Sequence, residues 1–246
     1  MVKDPTQPDQ VYAKPRTLVV DFAFDENVAK VFPDMIRRSV PGYETIIALT
    51  GLLAEHYAQP YSQCYDLGCS LGAATLAMHS RIQQAGCRIM AVDNAEAMTQ
   101  RCRQHVAEAG EGVEVEVICA DIQDIMVENA SVVVLNFTLQ FIPPDTRLAL
   151  IQNIYKGMRP GGALLLSEKI VFTNPAEQER MEALHLAFKK ANGYSDLEIS
   201  QKRSALENVL IPDTLAQHQA RLQAAGFNSV DMWFRCINFV SLLAIK

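Results

Sequence analysis

The chain has 246 residues, 49% hydrophobic and 20% charged, and 22 Lys and Arg against 28 Asp and Glu give a net charge of −6. This excludes a wholly disordered chain, and only 12 Gly and 11 Pro exclude a low-complexity or collagen-like one. The acidic balance argues against a broad nucleic-acid surface but leaves room for a local basic pocket that takes a small anion. Residues 1–20 carry Pro5, Pro8 and Pro15 without a period and read as a loose arm. Their polar start has no apolar segment of a secretory signal, and no window is apolar enough to span a bilayer, so a cytoplasmic protein without a membrane partner is expected. Residues 22–35 mix aromatics with acids, and Ser39-Val40-Pro41-Gly42-Tyr43 breaks the chain. Residues 44–56 set Ile46, Ile47, Leu49, Leu52 and Leu53 at helical spacing.

Strands and helices then alternate. Strands are expected at 63–67, 88–92, 113–118, 131–136 and 163–168, and helices at 73–85, 96–108 and 145–158, the last with Asp145 as N-cap. Arg159-Pro160-Gly161-Gly162 reads as a turn. Residues 174–224 are polar and helical, with a break at Gly193-Tyr194, and form a cap. Residues 229–234 and 238–245 close the sheet as a pair of strands. The expectation is one α/β domain over 1–246, a doubly wound, mostly parallel seven-stranded sheet with a helical cap before the last two strands. The six cysteines form no Cys-x-x-Cys pair, and Cys64 and Cys69 lack histidines at ligand spacing. Buried thiols are therefore expected, with no disulfide scaffold and no metal site.

Candidate site residues gather at the strand ends. Tyr65-Asp66-Leu67-Gly68-Cys69-Ser70-Leu71-Gly72 lies where the first strand turns into a helix, whose free N–H groups and glycines admit a ligand. Asp93, with Asn94, ends the second strand, 25 residues after Gly68, where a carboxylate accepts from both ribose hydroxyls. Asp121 ends the third, placed to accept from an adenine amino group while Ile122 covers the ring, and Asn136 ends the fourth. Each is equally a helix or loop cap taken alone; four such features at successive strand ends favour a nucleoside site. Residue 70 is Ser, so the full Gly-x-Gly-x-x-Gly of a dinucleotide site is missing, as is the Gly-Lys-Ser/Thr of a triphosphate site. By exclusion, S-adenosylmethionine fits.

These residues, with Arg159-Pro160-Gly161-Gly162, resemble the class I S-adenosylmethionine-dependent methyltransferase superfamily, motif by motif in order. Longer words resemble one family within it, the carboxy-S-adenosyl-L-methionine synthases. They are Val31-Phe32-Pro33-Asp34-Met35-Ile36, Ser39-Val40-Pro41-Gly42-Tyr43, Asn136-Phe137-Thr138-Leu139-Gln140-Phe141, Ala191-Asn192-Gly193-Tyr194-Ser195 and Glu198-Ile199-Ser200-Gln201-Lys202-Arg203-Ser204. The likeness runs from about Phe24 to the C-terminus. It implies that S-adenosyl-L-methionine and prephenate give carboxy-S-adenosyl-L-methionine and phenylpyruvate. That product would supply the carboxymethyl donor for uridine 5-oxyacetic acid at the tRNA wobble position. It implies ligand contacts at Tyr43, Gly68, Cys69, Ser70, Asp93, Asn94, Asp121, Ile122, Asn136 and Arg203. It also implies a homodimer in which Arg203 reaches the partner's site.

The chemistry gives two of these a role. Arg203 is expected to hold the new carboxylate of the product, and a carboxylate of prephenate before it, bidentately. An isolated Arg in a Lys-Arg pair is otherwise a surface residue. Tyr43, after its Pro-Gly break, is placed to close over the cofactor, or else is a half-buried aromatic at a helix start. No dedicated base is evident: hydroxide leaving prephenate would take the methyl proton, and among the five histidines only His185 merits a test. Two alternatives stay open, a conventional small-molecule methyltransferase and a non-catalytic S-adenosylmethionine-binding protein.

Overall fold

The computed structural model describes residues 7–15 and 21–246. In chain order they form α1 (Glu26–Ser39), α2 (Tyr43–Tyr57), β1 (Gln63–Leu67), α3 (Ala73–His79), β2 (Arg88–Asp93), α4 (Glu96–Glu108), β3 (Glu114–Cys119) and β4 (Ala130–Asn136). After a 3-10 turn at Leu139–Phe141 come α5 (Arg147–Gly157), β5 (Met158–Val171), α6 (Pro175–Ala191), α7 (Asp196–Leu206), β6 (Asp213–Thr214), α8 (Leu215–Ala225), β7 (Ser229–Cys236) and β8 (Phe239–Ile245).

The sheet runs β3-β2-β1-β4-β5-β8-β7. β1 to β5 are parallel, and β8 lies antiparallel between β5 and β7. This is the doubly wound, mostly parallel class I methyltransferase fold, with antiparallel strands at the C-terminal side. An eighth strand was not expected: the two-residue β6 pairs with β5 at Ile170 and Val171.

Burial on both faces explains the unbroken apolar run of β4. Val133 and Leu135 join the core under α5 and α8, with Leu150, Ile154 and Leu222. Val132 and Val134 face the other way, onto Ala54 of α2 and Ala74 and Met78 of α3. Strand order reverses between β1 and β4, so the carboxyl ends of these strands open a crevice.

Several boundaries depart from expectation. The helix expected over 73–85 ends at His79. Thr146, not Asp145, precedes α5, and it makes no side-chain cap bond. Arg159 to Gly162 belong to β5: Met158 pairs with Ala130, and the register shifts before Ala163 pairs with Val132. α1 has no counterpart among the expected helices; once wound it buries Val28, Val31 and Met35 on one face and exposes Glu26 and Lys30 on the other, and Asp25 caps it by accepting from the Val28 N–H.

The N-terminal arm is anchored where it is described, while residues 1–6 and 16–20 lie outside the described residues. Asp9 and Tyr12 are buried. The Asp9 carboxylate accepts from the Tyr194 hydroxyl, and the Asp9 N–H donates to Asp34 at 2.7 Å. Arg38 spans both sides: it pairs with Asp34 at 3.1 Å, donates to the Asn192 carbonyl at 2.7 Å and lies 3.9 Å over the Tyr194 ring. Residues 174–224 divide in two. α6 and α7 contribute side chains to the crevice, whereas α8 packs on α5 as part of a sheet layer.

Candidate functional site

A cavity of about 690 Å³ opens over the carboxyl ends of β1, β2 and β4, bounded by α1, α6 and α7. Nine of the ten expected contacts line it: Tyr43, Gly68, Cys69, Ser70, Asp93, Asn94, Asp121, Ile122 and Asn136. Arg203 does not. Its side chain is 75% exposed on α7, 3.7 Å from Glu182.

The β1–α3 loop is held from beneath. Gly68 and Gly72 both sit at φ +87°, and a Cβ on Gly68 would lie 2.2 Å from the Thr138 hydroxyl. The expected reason for Gly68, close approach of a ligand, is therefore joined by a visible one, close approach of the β4 loop. Ser70 at φ 50° and Phe137 at φ 60° hold left-handed backbone without being glycine, and both line the cavity. Cys69 stays a neutral thiol, raised by its contact with the Cys102 side chain and by burial.

Asp93 ties the β1–α3 loop to the segment before α4 but does not cap that helix, whose N-cap position is Ala95. One carboxylate oxygen accepts from the Ser70 N–H and the other from the Ala95 N–H, each at 2.9 Å. Lone pairs remain on both oxygens for a diol. Asp121 likewise accepts from the Gln123 N–H at 2.8 Å and keeps its second oxygen. Asn136 differs: its side-chain oxygen and nitrogen are both buried without a hydrogen-bond partner. Orphaned polar atoms of this kind carry a cost that a polar ligand relieves. Together with a diol-competent carboxylate and an apolar slot at Ile122, they fit S-adenosylmethionine.

Asp66, part of the candidate β1–α3 segment though not among the ten expected contacts, is buried at the end of β1 and accepts from the Thr75 hydroxyl at 2.6 Å. Burial lifts its pKa to about 6, and Asp93 adds to the rise. Tyr43 packs against Phe137 at 6.3 Å, and burial, with the Asp66 charge second, keeps its phenol neutral.

One wall of the cavity is basic. Lys169 of β5, Lys189 of α6 and Lys202 of α7 all line the cavity. Read in sequence, Lys202 belongs to a surface Lys-Arg pair; it is in fact buried, donating to the Ser39 hydroxyl at 3.0 Å and 3.9 Å from Asp9. His185 is also at this wall. Its Nε2–H donates to the Ser39 carbonyl at 2.8 Å, and its ring meets Phe239 edge-on at 5.1 Å. Burial and the charge of Lys189 push its pKa down to about 3, so the ring is neutral and a poor base at neutral pH. No motif flags this wall, because its lysines come from three elements that only the fold brings together. Among the described residues no group of His, Cys, Asp and Glu could hold a metal ion, and no helix is long and apolar enough to cross a membrane.

Comparison with known proteins agrees with this geometry. Residues 65–162 match the model of a methyltransferase domain family. Human N-acetylserotonin methyltransferase, solved in complex with S-adenosylmethionine, superposes with a TM-score of 0.56 at 18% identity. The match covers 90% of this chain and 55% of that protein, and it speaks for the fold alone. The carboxy-S-adenosyl-L-methionine synthase of Trichlorobacter lovleyi is 61% identical over 97% of this chain and 98% of its own length. That of Vibrio campbellii is 56% identical over 98% of each. With such identity along nearly its whole length, over a cavity formed at the strand ends, the chain belongs to the carboxy-S-adenosyl-L-methionine synthase family.

Proposed function

We propose that this enzyme converts S-adenosyl-L-methionine and prephenate to carboxy-S-adenosyl-L-methionine and phenylpyruvate. Full-length identity to synthases of that name is the observation that carries the reading. The balance is closed: prephenate loses its ring carboxylate as CO2 and its ring hydroxyl as hydroxide, leaving phenylpyruvate. The sulfonium methyl gives its proton to hydroxide, forming water, and bonds through carbon to the CO2. The residues of the cavity bind, orient and exclude water. Asp93 takes the ribose, Asp121 and Ile122 the adenine, Asn136 a polar group of the amino-acid portion, and Tyr43 covers the reacting end.

A conventional methyltransferase is less well supported. Three lysines lining the cavity suit an anionic co-substrate and a product with a new carboxylate, a need that transfer of a methyl group does not create. The enzyme is read as a homodimer that lends Arg203 across the interface to that carboxylate. The exposure of Arg203 outside its own chain's cavity supports this. The product is read as the donor for wobble uridine 5-oxyacetic acid, made by a second enzyme, and the net charge of −6 supports an enzyme that need not touch tRNA.

Mass spectrometry of the purified protein with S-adenosyl-L-methionine, with and without prephenate, tests the reaction. A prephenate-dependent gain of one CO2 on the cofactor, with phenylpyruvate, is expected; an unchanged cofactor removes the reading. Arg203→Ala is expected to abolish carboxylation while weakening S-adenosylmethionine binding only about threefold. Full activity in that variant would sink its role.

A further inference from the structure

Lys169 and Lys189 stand out among the charges of the cavity. Lys202 has a hydroxyl and a carboxylate at hand. The side chains of Lys169 and Lys189, both half-buried, make no hydrogen bond or ion pair among the described residues. Lys169 is in register with Phe239 of β8, and both face the cavity. The carboxylate whose field reaches Lys169 is Glu182, which is engaged by Arg203 at 3.7 Å. No carboxylate offsets Lys189: burial, then Lys202, Lys169 and Arg203, bring its pKa down to about 7. A fold gains nothing by crowding like charges into a partly dry wall, so the cost points to a ligand that offsets it.

We propose that Lys169 and Lys189 form the subsite that binds a dicarboxylate co-substrate, one lysine to each carboxylate. This rests on the reading that the carboxyl donor is a dicarboxylate, and it names the groups that take it. The two signs of charge in the cavity then sort two ligands. Asp66 and Asp93 face the cationic partner, and the lysines face the anionic one. An arriving dianion restores full charge to Lys189, so binding takes up protons near neutral pH.

Calorimetry of prephenate binding to the complex with S-adenosyl-L-homocysteine tests this, with phenylpyruvate as the monocarboxylate comparison. The wild type is expected to bind prephenate about tenfold more tightly than phenylpyruvate. K169Q and K189Q are each expected to lose about tenfold for prephenate while holding S-adenosyl-L-homocysteine as before. K169R and K189R, which keep the charge, are expected to recover most of that loss. Three results overturn the subsite: no preference for the dicarboxylate in the wild type, unchanged prephenate affinity in both Gln variants, or an equal loss of S-adenosyl-L-homocysteine, which would give the lysines to the cofactor carboxylate. Wild-type turnover is followed in parallel. Prephenate binding without a carboxylated product would sink the reaction and leave the subsite; turnover with unchanged affinity in the variants would do the reverse.

Discussion

Burial holds the Asp66 carboxyl at about pH 6, above its ordinary 3.8. A pKa raised on folding contributes stability that is fully present below the unfolded value and lost as pH rises through the folded one. For this fully buried group the difference is roughly 3 kcal/mol. Asp66→Asn, which still accepts from Thr75, is therefore expected to raise the melting temperature of the ligand-free protein at pH 7.5. At pH 4 it should change little. The same carboxylate favours a cationic ligand, so wild-type affinity for S-adenosylmethionine should fall as pH drops below about 6, and Asp66→Asn should flatten that profile. Equal melting temperatures for the two proteins at pH 7.5 would refute the assignment. Gly68 offers a steric test. Gly68→Ala meets both the φ of +87° and the Thr138 side chain, and should cost about 2–3 kcal/mol in denaturant melts. Adding Thr138→Ala should return part of that but not the backbone share.

The elements around the site differ in how far they were legible. Asp93, Asp121 and Asn136 could be placed because a doubly wound sheet delivers ligands to its strand tips, and tips follow from hydrophobic runs. α1 was hidden by Pro33 in its interior and by a polar face that looks irregular until it is wound. Local backbone contacts of Asp93 and Asp121 could not be separated from ligand roles in sequence, since a carboxylate that accepts from a neighbouring N–H keeps lone pairs for a second partner. The long words of the family resemblance gain a physical meaning as well. Asp34 in one, and Asn192 and Tyr194 in another, join Arg38 in tying α1 to the α6–α7 junction and to Asp9. Tyr194→Phe removes the buried bond to Asp9 and should cost about 1–2 kcal/mol. It should also speed proteolysis within residues 7–15 and raise KM for both substrates, since α6 and α7 wall the cavity. Unaltered proteolysis would mean that the segment is held without that bond, by Tyr12 and its apolar neighbours together with the Asp9 N–H on Asp34 and Gln201 on the Tyr12 and Lys14 carbonyls.

Across the whole molecule, both signs of charge line a single cavity, carboxylates at the ends of β1 and β2 and lysines from β5, α6 and α7. Such a lining follows from no local pattern: Lys169, Lys189 and Lys202 are spread over three elements, and the net charge of −6 hides them. Added salt should screen the half-exposed lysines more than buried Asp66. KM for prephenate is thus expected to rise several-fold between roughly 50 and 500 mM salt while that for S-adenosylmethionine moves little. Parallel rises in both would argue against separate subsites. Arg203 extends the basic side outward, and equilibrium sedimentation that found only monomer at micromolar concentration would remove its role across an interface.

The position of β8 bears on how the chain is made. The last strand in sequence is not the last in space: it sits between β5 and β7, pairing with both. Until residues 239–245 leave the ribosome, Ala163, Leu164, Leu165 and Leu166 form a bare edge on a half-built sheet. β7, already synthesised, has no strand to join. Nascent chains should therefore stay sticky and dependent on chaperones until β8 emerges, and then close by its insertion between β5 and β7.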